Sequence, residues 1–489
     1  MIVKNSSLSV DTEKLRKKIL DLAMRGKLIP QDSQDEPASV LLEKIKEEKA
    51  QLIKEKKIKK SKPLPEITEE EKPFEIPESW EWVRLGEILD VRDGTHDTPK
   101  YLDSGVPLIT AKNLDNGSID FNNVNYISFE DAKKINQRSK VDKDDIIFAM
   151  IGTIGNPVLV QEEYSMAIKN VALLKKIYYL NMKYILRCIQ FSENRMYKKS
   201  NGGNQKFISL KKIREFTIPL PPLAEQKRIV AKVEECMQAI KTIEDSSKEY
   251  EKLENQLDKK VLDLAMRGKL VPQDSQDEPA SVLLEKIKEE KAQLIKEKKI
   301  KKSKLLGLQD IDVKIPDTWE LTQLGDICEI KGGKRVPKGK KLYKSGVKVY
   351  IRVSDMKKGS IDLKDLQYVD EETLESIKNY TISSKDLYFS IAGTIGKVGK
   401  VPENLGGALL TENAAKLVLI RENDVLKEYI YYCLQSEFIK EQCDKIVSQV
   451  AQPKLSLIKL RSLAIPLPPL AEQECIVAKI EEIKQYLKS

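Results

Sequence analysis

The chain has 489 residues, a third of them charged, with a formal net charge of +9, a sequence pI near 8.8, one histidine and six cysteines. That length allows two modules plus connectors, and the basic balance suits a polyanionic partner. Cys188, Cys236, Cys328, Cys433, Cys443 and Cys475 contain no CxxC pair, against a zinc knuckle or disulfide framework. No apolar run approaches the ~18–20 residues of a membrane span, and MIVKNSSLSV lacks a signal-peptide core, so a soluble cytoplasmic protein with free thiols is expected.

Leu15, Ile19 and Leu22 recur at spacings of three and four and predict an amphipathic helix that stops at Gly26-Lys27. Asp35-Glu36-Pro37-Ala38-Ser39 predicts the start of a second helix, with its proline early in the first turn. That helix runs into Lys54, Lys56, Lys57, Lys59, Lys60 and Lys62, a cluster able to touch phosphates but more often a solvated helix end or linker. A first module opens at Ile76 with IPESWEWVRLGEI, where Trp80 is expected to pack rather than to stack on bases. It continues through a glycine and basic turn (Arg92-Asp93-Gly94-Thr95-His96), an SGV, a GSID at Gly117–Asp120 and DIIFAMIGTIG, which closes at Gly155. Short β-rich runs broken by glycine and asparagine predict a mixed, mainly strand-built core with a few helices. The polar loop Asn201-Gly202-Gly203-Asn204-Gln205-Lys206 and IPLPPLAEQ at Ile218–Gln226 end the module.

Beyond Pro222, Val230, Val233, Met237 and Ile240, then Leu253, Leu257, Val261 and Leu264, predict a helix of about 45 residues, ~68 Å long, packed against another helix. Gly268-Lys269 is its stop. Almost every landmark then recurs. Residues 261–304 repeat residues 19–62 except at Val261 and Val271, which replace Ile19 and Ile29. A second module opens with IPDTWELTQLGDI at Ile315, with Trp319 again expected to pack. It carries Lys331-Gly332-Gly333-Lys334-Arg335, SGV, GSID at Gly359–Asp362, DLYFSIAGTIG closing at Gly396, and Gln449-Val450-Ala451-Gln452-Pro453-Lys454. A second IPLPPLAEQ at Ile465–Gln473 leads to Val477, Ile480 and Leu487, with Lys484 where the first copy has Met237.

The repeats are cyclic. The segment from Leu223 to Leu270 returns in two pieces, its first part at the C-terminus, where Ser489 matches Thr242, and its second at the N-terminus, where Met1 matches Ile243. Laid end to end the pieces rebuild it, which predicts a pseudo-two-fold assembly with both termini beside the intact copy. One scaffold thus carries two divergent modules, an arrangement suited to identical partners and different targets.

Chemistry is sparse. A lone loop histidine, His96, founds no family of His-based sites, and no NPPF- or DPPY-like tetrapeptide of an amino-methyltransferase occurs. Gly393-Thr394-Ile395-Gly396-Lys397-Val398-Gly399-Lys400 has the wrong spacing for a phosphate loop and ends in Val401. Arg, Lys, Asn and Gln are the side chains that read guanine and adenine edges. Loops at matching places therefore nominate Arg92, Thr95, Lys112, Asn113, Asn204, Gln205 and Lys206 in the first module, and Lys331, Lys334, Arg335, Arg352, Gln452 and Lys454 in the second.

The two copies of LDLAMRGKLIPQDSQDEPASVLLEKIKEEKAQL (its second copy with Val271 for Ile29), PFEIPESWEWVRLGEI, GTIG in both modules, and IPLPPLAEQKRIV with IPLPPLAEQECIV span the chain. In these motifs and their order the chain resembles the specificity (S) subunit of a type I restriction-modification system. The second module departs slightly, with IPDTWELTQLGDI in place of a double-tryptophan opening.

The resemblance implies an α+β fold in which two mixed α/β target-recognition domains are joined by long antiparallel helices in a cyclic pseudo-two-fold duplication. The expected division is residues 1–75 (N-terminal scaffold helices), 76–218 (first recognition domain), 219–310 (central helical spacer), 311–465 (second recognition domain) and 466–489 (C-terminal scaffold helix). It also implies a non-catalytic subunit that binds double-stranded DNA at an asymmetric bipartite target, docks two adenine methyltransferase (M) subunits and joins motor/nuclease (R) subunits. No cofactor is expected in this chain; S-adenosylmethionine, ATP and Mg belong to the partners. Repetition centres the docking surface on Arg25, Leu223, Gln226, Arg267, Leu470 and Gln473. A related system whose single partner both methylates and cleaves fits the same sequence. A self-contained methyltransferase or nuclease lacks its motifs, and a coiled-coil scaffold without DNA affinity is disfavoured by two large modules.

Overall fold

A computed structural model of the chain describes residues 10–152, 154–177, 179–201, 206–302, 306–307, 313–421, 424–447 and 454–488. They fall into two compact units, residues 10–247 and 248–488. Both mix helix and sheet, and they are built alike.

The scaffold helices begin and end for local reasons. Asp11 accepts from the Lys14 backbone amide and caps Thr12–Met24. The chain turns out of this helix at Gly26, whose φ of +65° is a left-handed conformation, and Gly268 repeats it at +63° after the long helix Leu223–Met266. A Cβ on Gly26 would lie 2.4 Å from the Pro77 ring, and one on Gly268 2.3 Å from Pro316, so both stops also let the module's first residues close in. The second helices, Ala38–Lys54 and Ala280–Lys296, start just after Pro37 and Pro279, one residue later than a proline inside the first turn requires. Lys56 and Lys298 adopt φ of 59° and 56°, so the lysine run beyond them lies outside the helix.

Each module is centred on a four-stranded antiparallel sheet. In the first the order is Asp90–Asp93, Val171–Lys175, Ile146–Ala149, Gly155–Leu159; in the second it is Cys328–Gly332, Ala414–Leu419, Leu387–Ser390, Val398–Lys400. The continuous apolar runs of the sequence are strands covered on both faces, with alternate residues entering different cores. Ile146 and Phe148 join the core that includes Tyr184 and Ile189 of the helix Met182–Lys198, whereas Ile147 joins Ile109 and Ile168 of a smaller sheet. That smaller sheet pairs Val106–Ile109 antiparallel with Asn125–Ile127 and parallel with Ala167–Ile168. Its counterpart centres on Lys348–Ile351 and Ala408–Leu410.

The ends of each module are side by side. The opening strand Glu81–Arg84 pairs antiparallel with the closing strand Thr217–Leu220, and Glu320–Gln323 pairs with Ala464–Leu467 in the same way. Buried Tyr184 donates to the Pro219 carbonyl (2.9 Å) and Tyr429 to that of Pro466 (2.6 Å), holding each IPLPP segment in place.

The long helix packs antiparallel to Thr12–Met24 in the N-terminal unit, where Arg16 meets Glu244 and Asp35 meets Arg228. Val230, Val233 and Ile240 are buried there. In the C-terminal unit its later part lies antiparallel to Leu470–Lys488, with Tyr250 donating to the Leu487 carbonyl. The predicted stripe needs one correction. Leu253 and Leu257 are exposed, as is Leu15, which is equivalent to Leu257, because the buried face of this stretch is formed by Val261, Leu262, Ala265 and Met266.

A buried carboxylate joins helix, loop and module. Glu225, in the first turn of the long helix, accepts from Trp80 Nε1 (2.8 Å) and from Gln31 Nε2 (2.6 Å), while Gln31 also donates to the Gly26 carbonyl. In the second unit Glu472 accepts from Trp319 (2.8 Å) and from Gln273 (2.5 Å), which in turn donates to Gly268. Trp80 and Trp319 are 3% and 4% exposed, so both pack as expected. Burial pushes both carboxyls above the usual glutamate value of 4.5, against the lowering pull of their Trp and Gln donors. A carboxyl that holds its proton more tightly folded than unfolded favours the folded state most below the unfolded value, and loses that contribution as pH rises through its raised folded value. The unfolding free energy of the wild type minus that of a Glu225→Gln/Glu472→Gln variant should therefore fall as pH is raised above about 4.5, measured by urea unfolding. A difference independent of pH would show that these carboxyls titrate alike folded and unfolded.

Candidate nucleic-acid interface

Strand direction brings the nominated loops together. Asp90–Asp93 and Ile146–Ala149 both run antiparallel to Val171–Lys175, so they are parallel to each other and end on the same side of the sheet, where Asp93 faces Ala172 and Ala149 faces Val171. The glycine and basic turn leaves the first strand at that edge, and the GTIG loop leaves the second. Between them lies the turn Lys169-Asn170. The segment Lys206-Phe207 arrives there too, since Ile151 bridges Phe207 and the Gly152 amide donates to the Lys206 carbonyl (2.8 Å). The Lys169 amide donates to the Ile109 carbonyl and so adds the segment that carries Lys112.

The second unit repeats this geometry. Gly332 faces Ala415 and Ser390 faces Ala414, so the turn Lys331–Arg335 and the GTIG loop share one sheet end with Thr411-Glu412-Asn413, and Lys454 bridges Ala392. Cavities border the basic turns, one of about 340 Å³ lined by Thr95, Thr98, Lys134 and Arg138, and one of about 250 Å³ lined by Lys331, Tyr380, Lys416 and Arg461. Another, of about 770 Å³, opens between the GTIG loop, the turn Lys357–Gly359 and Lys440.

Within these clusters the nominated residues differ in what their side chains do. Lys112, Lys334 and Lys454 are exposed, and Thr95 and Lys206 are half-buried. Lys331 pairs with Glu329, and Arg335 with Glu412, the Arg335 side chain being 79% exposed. Arg92 is more occupied, with its guanidinium bonded to Asp90 and to the carbonyls of Arg138 and Lys57. Asn204, Gln205 and Gln452 lie outside the described residues.

The packing corrects one nomination and engages much of a second side chain. Asn113 is 3% exposed; its oxygen accepts from the Thr110 amide and hydroxyl, and its amide donates to the carbonyls of Asp120 and Asn123. It pins the short helical turn Ala111–Asn113 to the base of a hairpin, so no amide edge remains to meet a base. Asp355 does the same work in the second unit, where Arg352 is bound to it at 2.6 Å and to the Asp365 carbonyl at 2.7 Å; Arg352 braces a loop. The GSID motifs are the second strands of these hairpins, which turn through Asn116-Gly117 and Lys358-Gly359, all at positive φ.

The docking residues divide similarly. Gln226 and Gln473 are wholly buried; each oxygen accepts from a backbone amide, of Asn181 or Leu426, and each amide donates to the carbonyl of Pro221 or Pro468. They lock the helix start to its module and offer no partner a surface. Leu223 packs against the first core, Arg25 lies over the Phe74 ring, and Arg267 pairs with Asp263. Leu470 is half-buried at the first turn of its helix.

Sequence reasoning missed Asn170, Glu412, Arg138 and Lys169. The first two sit in the turns at the centre of each cluster, and Arg138 pairs with buried Asp93. Only the alignment of IKNV (168–171) with LTENA (410–414) behind the GTIG strands signals Lys169, Asn170 and Glu412; Arg138 lies in neither segment. Among the described residues no group of three or more His, Cys, Asp or Glu is arranged to hold a metal, and no helix is long and apolar enough to cross a membrane.

A family model described as the type I restriction modification DNA specificity domain matches the chain twice, over residues 77–254 and 316–488. The chain is 31% identical to the type I restriction enzyme EcoAI specificity subunit of Escherichia coli, over 97% of this chain and 89% of the relative. It is 29% identical to the EcoEI specificity subunit of the same organism, over 96% and 88%. Among solved structures, a chain from a study of complex assembly and conformational transition of the type I R-M system aligns with a TM-score of 0.56 at 19% identity, covering 85% of this chain and 92% of that one, a likeness of fold.

Replacing Asn113 or Asp355 by Ala should lower stability in urea unfolding by about 1–3 kcal/mol, the cost of stranding buried hydrogen-bonding groups. Unchanged stability with altered DNA recognition would return Asn113 to the surface that reads bases.

Proposed function

The chain belongs to the specificity subunits of type I restriction-modification systems, and from that membership we propose that its two units read the two halves of one asymmetric, interrupted DNA target. The observation that carries this reading is the repetition of one sheet-end architecture with different side chains on it. The joints Trp80–Glu225–Gln31 and Trp319–Glu472–Gln273 match residue for residue, whereas the loops they support carry Thr95-His96 in one unit and Lys334-Arg335 in the other. Equal supports with unequal tips are what two different half-sites call for. Lysines such as Lys112, Lys206 and Lys454 would meet phosphates, and Arg335 a guanine edge or phosphate. In this reading the half-sites lie on opposite strands, separated by base pairs that neither unit reads.

Methyl transfer and cleavage belong to partners in this reading. Each of two methyltransferase subunits flips out one adenine, one per strand, and uses S-adenosylmethionine; a motor and nuclease subunit uses ATP and Mg. The complex acts in the cytoplasm, where its DNA is. Leu15 and Leu257 support a repeated docking surface, because they occupy equivalent positions and are 40% and 42% exposed while their neighbours Ile19 and Val261 are buried.

Methylation sequencing of host DNA with and without the gene should show loss of a single motif with two different halves and one N6-methyladenine per strand. A palindromic or continuous motif would overturn the bipartite reading. Leu15→Glu with Leu257→Glu should reduce copurification of the methyltransferase at least about tenfold, as loss of buried apolar contacts predicts, without lowering the melting temperature. Undiminished copurification would move the docking surface elsewhere.

A further inference from the structure

The same cross-loop contact occurs in both units, made from different side chains. Gly94 donates to the Val171 carbonyl and Thr95 to that of Ile168; Gly333 donates to Ala414 and Lys334 to Leu410. The backbones of the two basic turns are thus held alike, which makes His96 equivalent to Arg335. The turn opposite is Lys169-Asn170 in the first unit and Thr411-Glu412-Asn413 in the second, where the Lys169 and Thr411 amides donate to the equivalent carbonyls of Ile109 and Ile351. Across this gap His96 Nδ1 lies 2.9 Å from Asn170 Oδ1, and Arg335 Nε donates to Glu412 Oε1 at 2.6 Å.

Each contact is anchored behind. His96 Nε2 is 3.0 Å from Asp93 Oδ2, and buried Asp93 pairs with Arg138. Glu412 Oε2 accepts from the Thr411 hydroxyl (3.1 Å), and the hydroxyl of buried Tyr350, which donates to the Lys334 carbonyl (2.8 Å), lies 3.3 Å from the same oxygen. The outer partners remain in solvent, with side-chain exposures of 59% for His96 and 79% for Arg335. An exposed ion pair adds little stability. Its geometric effect is larger, because a guanidinium held at Nε has its planar fork fixed, and a fixed fork discriminates guanine from other bases.

We propose that Asn170 and Glu412 are equivalent positioning residues for recognition, each orienting the side chain at the tip of its own basic turn, and that each governs one half-site only. The proposal rests on the two-half-site reading above. Glu412 acts through Arg335, and Asn170 through His96 together with Asp93. The two pairs are alternative solutions to one geometric problem, so one can be transplanted for the other.

The test uses the full chain assembled with its methyltransferase and reads the methylated motif and the affinity for DNA scrambled in either half. Glu412→Ala should relax base discrimination in one half of the target by about tenfold, the range of one bidentate contact, and leave the other half unchanged. Glu412→Gln, which keeps an acceptor oxygen, should retain most of it. Asn170→Ala should affect the opposite half. His96→Arg alone should impair that half, and His96→Arg combined with Asn170→Glu should recover defined base discrimination there. Loss in both halves, or in neither, overturns the proposal, as does failure of the double exchange in a complex whose melting temperature and assembly match the wild type. Should Glu412→Ala prevent assembly, the Glu412→Gln and double-exchange variants decide it. A wild-type complex without a bipartite motif would instead refute the underlying functional reading.

Discussion

In each unit a glutamate at the start of a scaffold helix is buried against a tryptophan from the module and a glutamine from the loop after the preceding repeat helix. Burying a carboxylate is costly unless its oxygens are satisfied, and here each oxygen has a designated donor. The cost makes the contact selective. A tryptophan shifted by one residue would leave the indole and one carboxylate oxygen without partners, so the register of module against helix is fixed by the penalty for misplacing it. The adjacent glutamines, Gln226 and Gln473, extend this by tying the helix start to the proline turn and to the head of a module helix.

Because the joint and the paired opening and closing strands lie together, everything between them is a closed cassette. The sheet of each cassette points one end, by strand direction alone, at a cluster of turns drawn from distant parts of the chain. Loops at Gly94, Lys112, Asn170, GTIG and Lys206 are far apart in sequence and adjacent in space because two parallel edge-to-inner strands and one parallel strand pair all end on the same side. Such clusters tolerate divergence at the tips, since no tip residue is needed to hold the joint. Clustered lysines among them would, in the proposed reading, supply the sequence-independent attraction to phosphates on which base-specific contacts are superimposed.

The places where residue type misled are instructive. Asn113 and Arg352 have the chemistry of base readers and lie in loops, yet short polar side chains and guanidiniums are equally the groups that satisfy turns. Gln226 and Gln473 looked like contact residues because they repeat, but repetition marks whatever both units need, and both units need a sealed joint. Leu253 and Leu257 fit a helical stripe at spacings of three and four, and the packing face chosen by the structure passes instead through Leu262, Ala265 and Met266. Spacing defines a set of candidate faces; which one is dry depends on what the helix meets.

By itself the sequence determined the duplication, its cyclic register, the helix stops at Gly26 and Gly268, the packing role of the tryptophans and the family to which the chain belongs. These features are local or are copied, so they are legible wherever a pattern is legible. Tertiary structure alone decided which polar side chains are exposed at the sheet ends and which are consumed in bracing them, and it alone paired His96 with Asn170 and Arg335 with Glu412. The physical reason is that hydrogen-bond satisfaction is a property of neighbours. A residue's donors and acceptors are fixed by its type, but whether they remain available for a ligand depends on the neighbours the fold supplies, within thirteen residues for Asn113 and Arg352 and across more than seventy for His96 and Arg335.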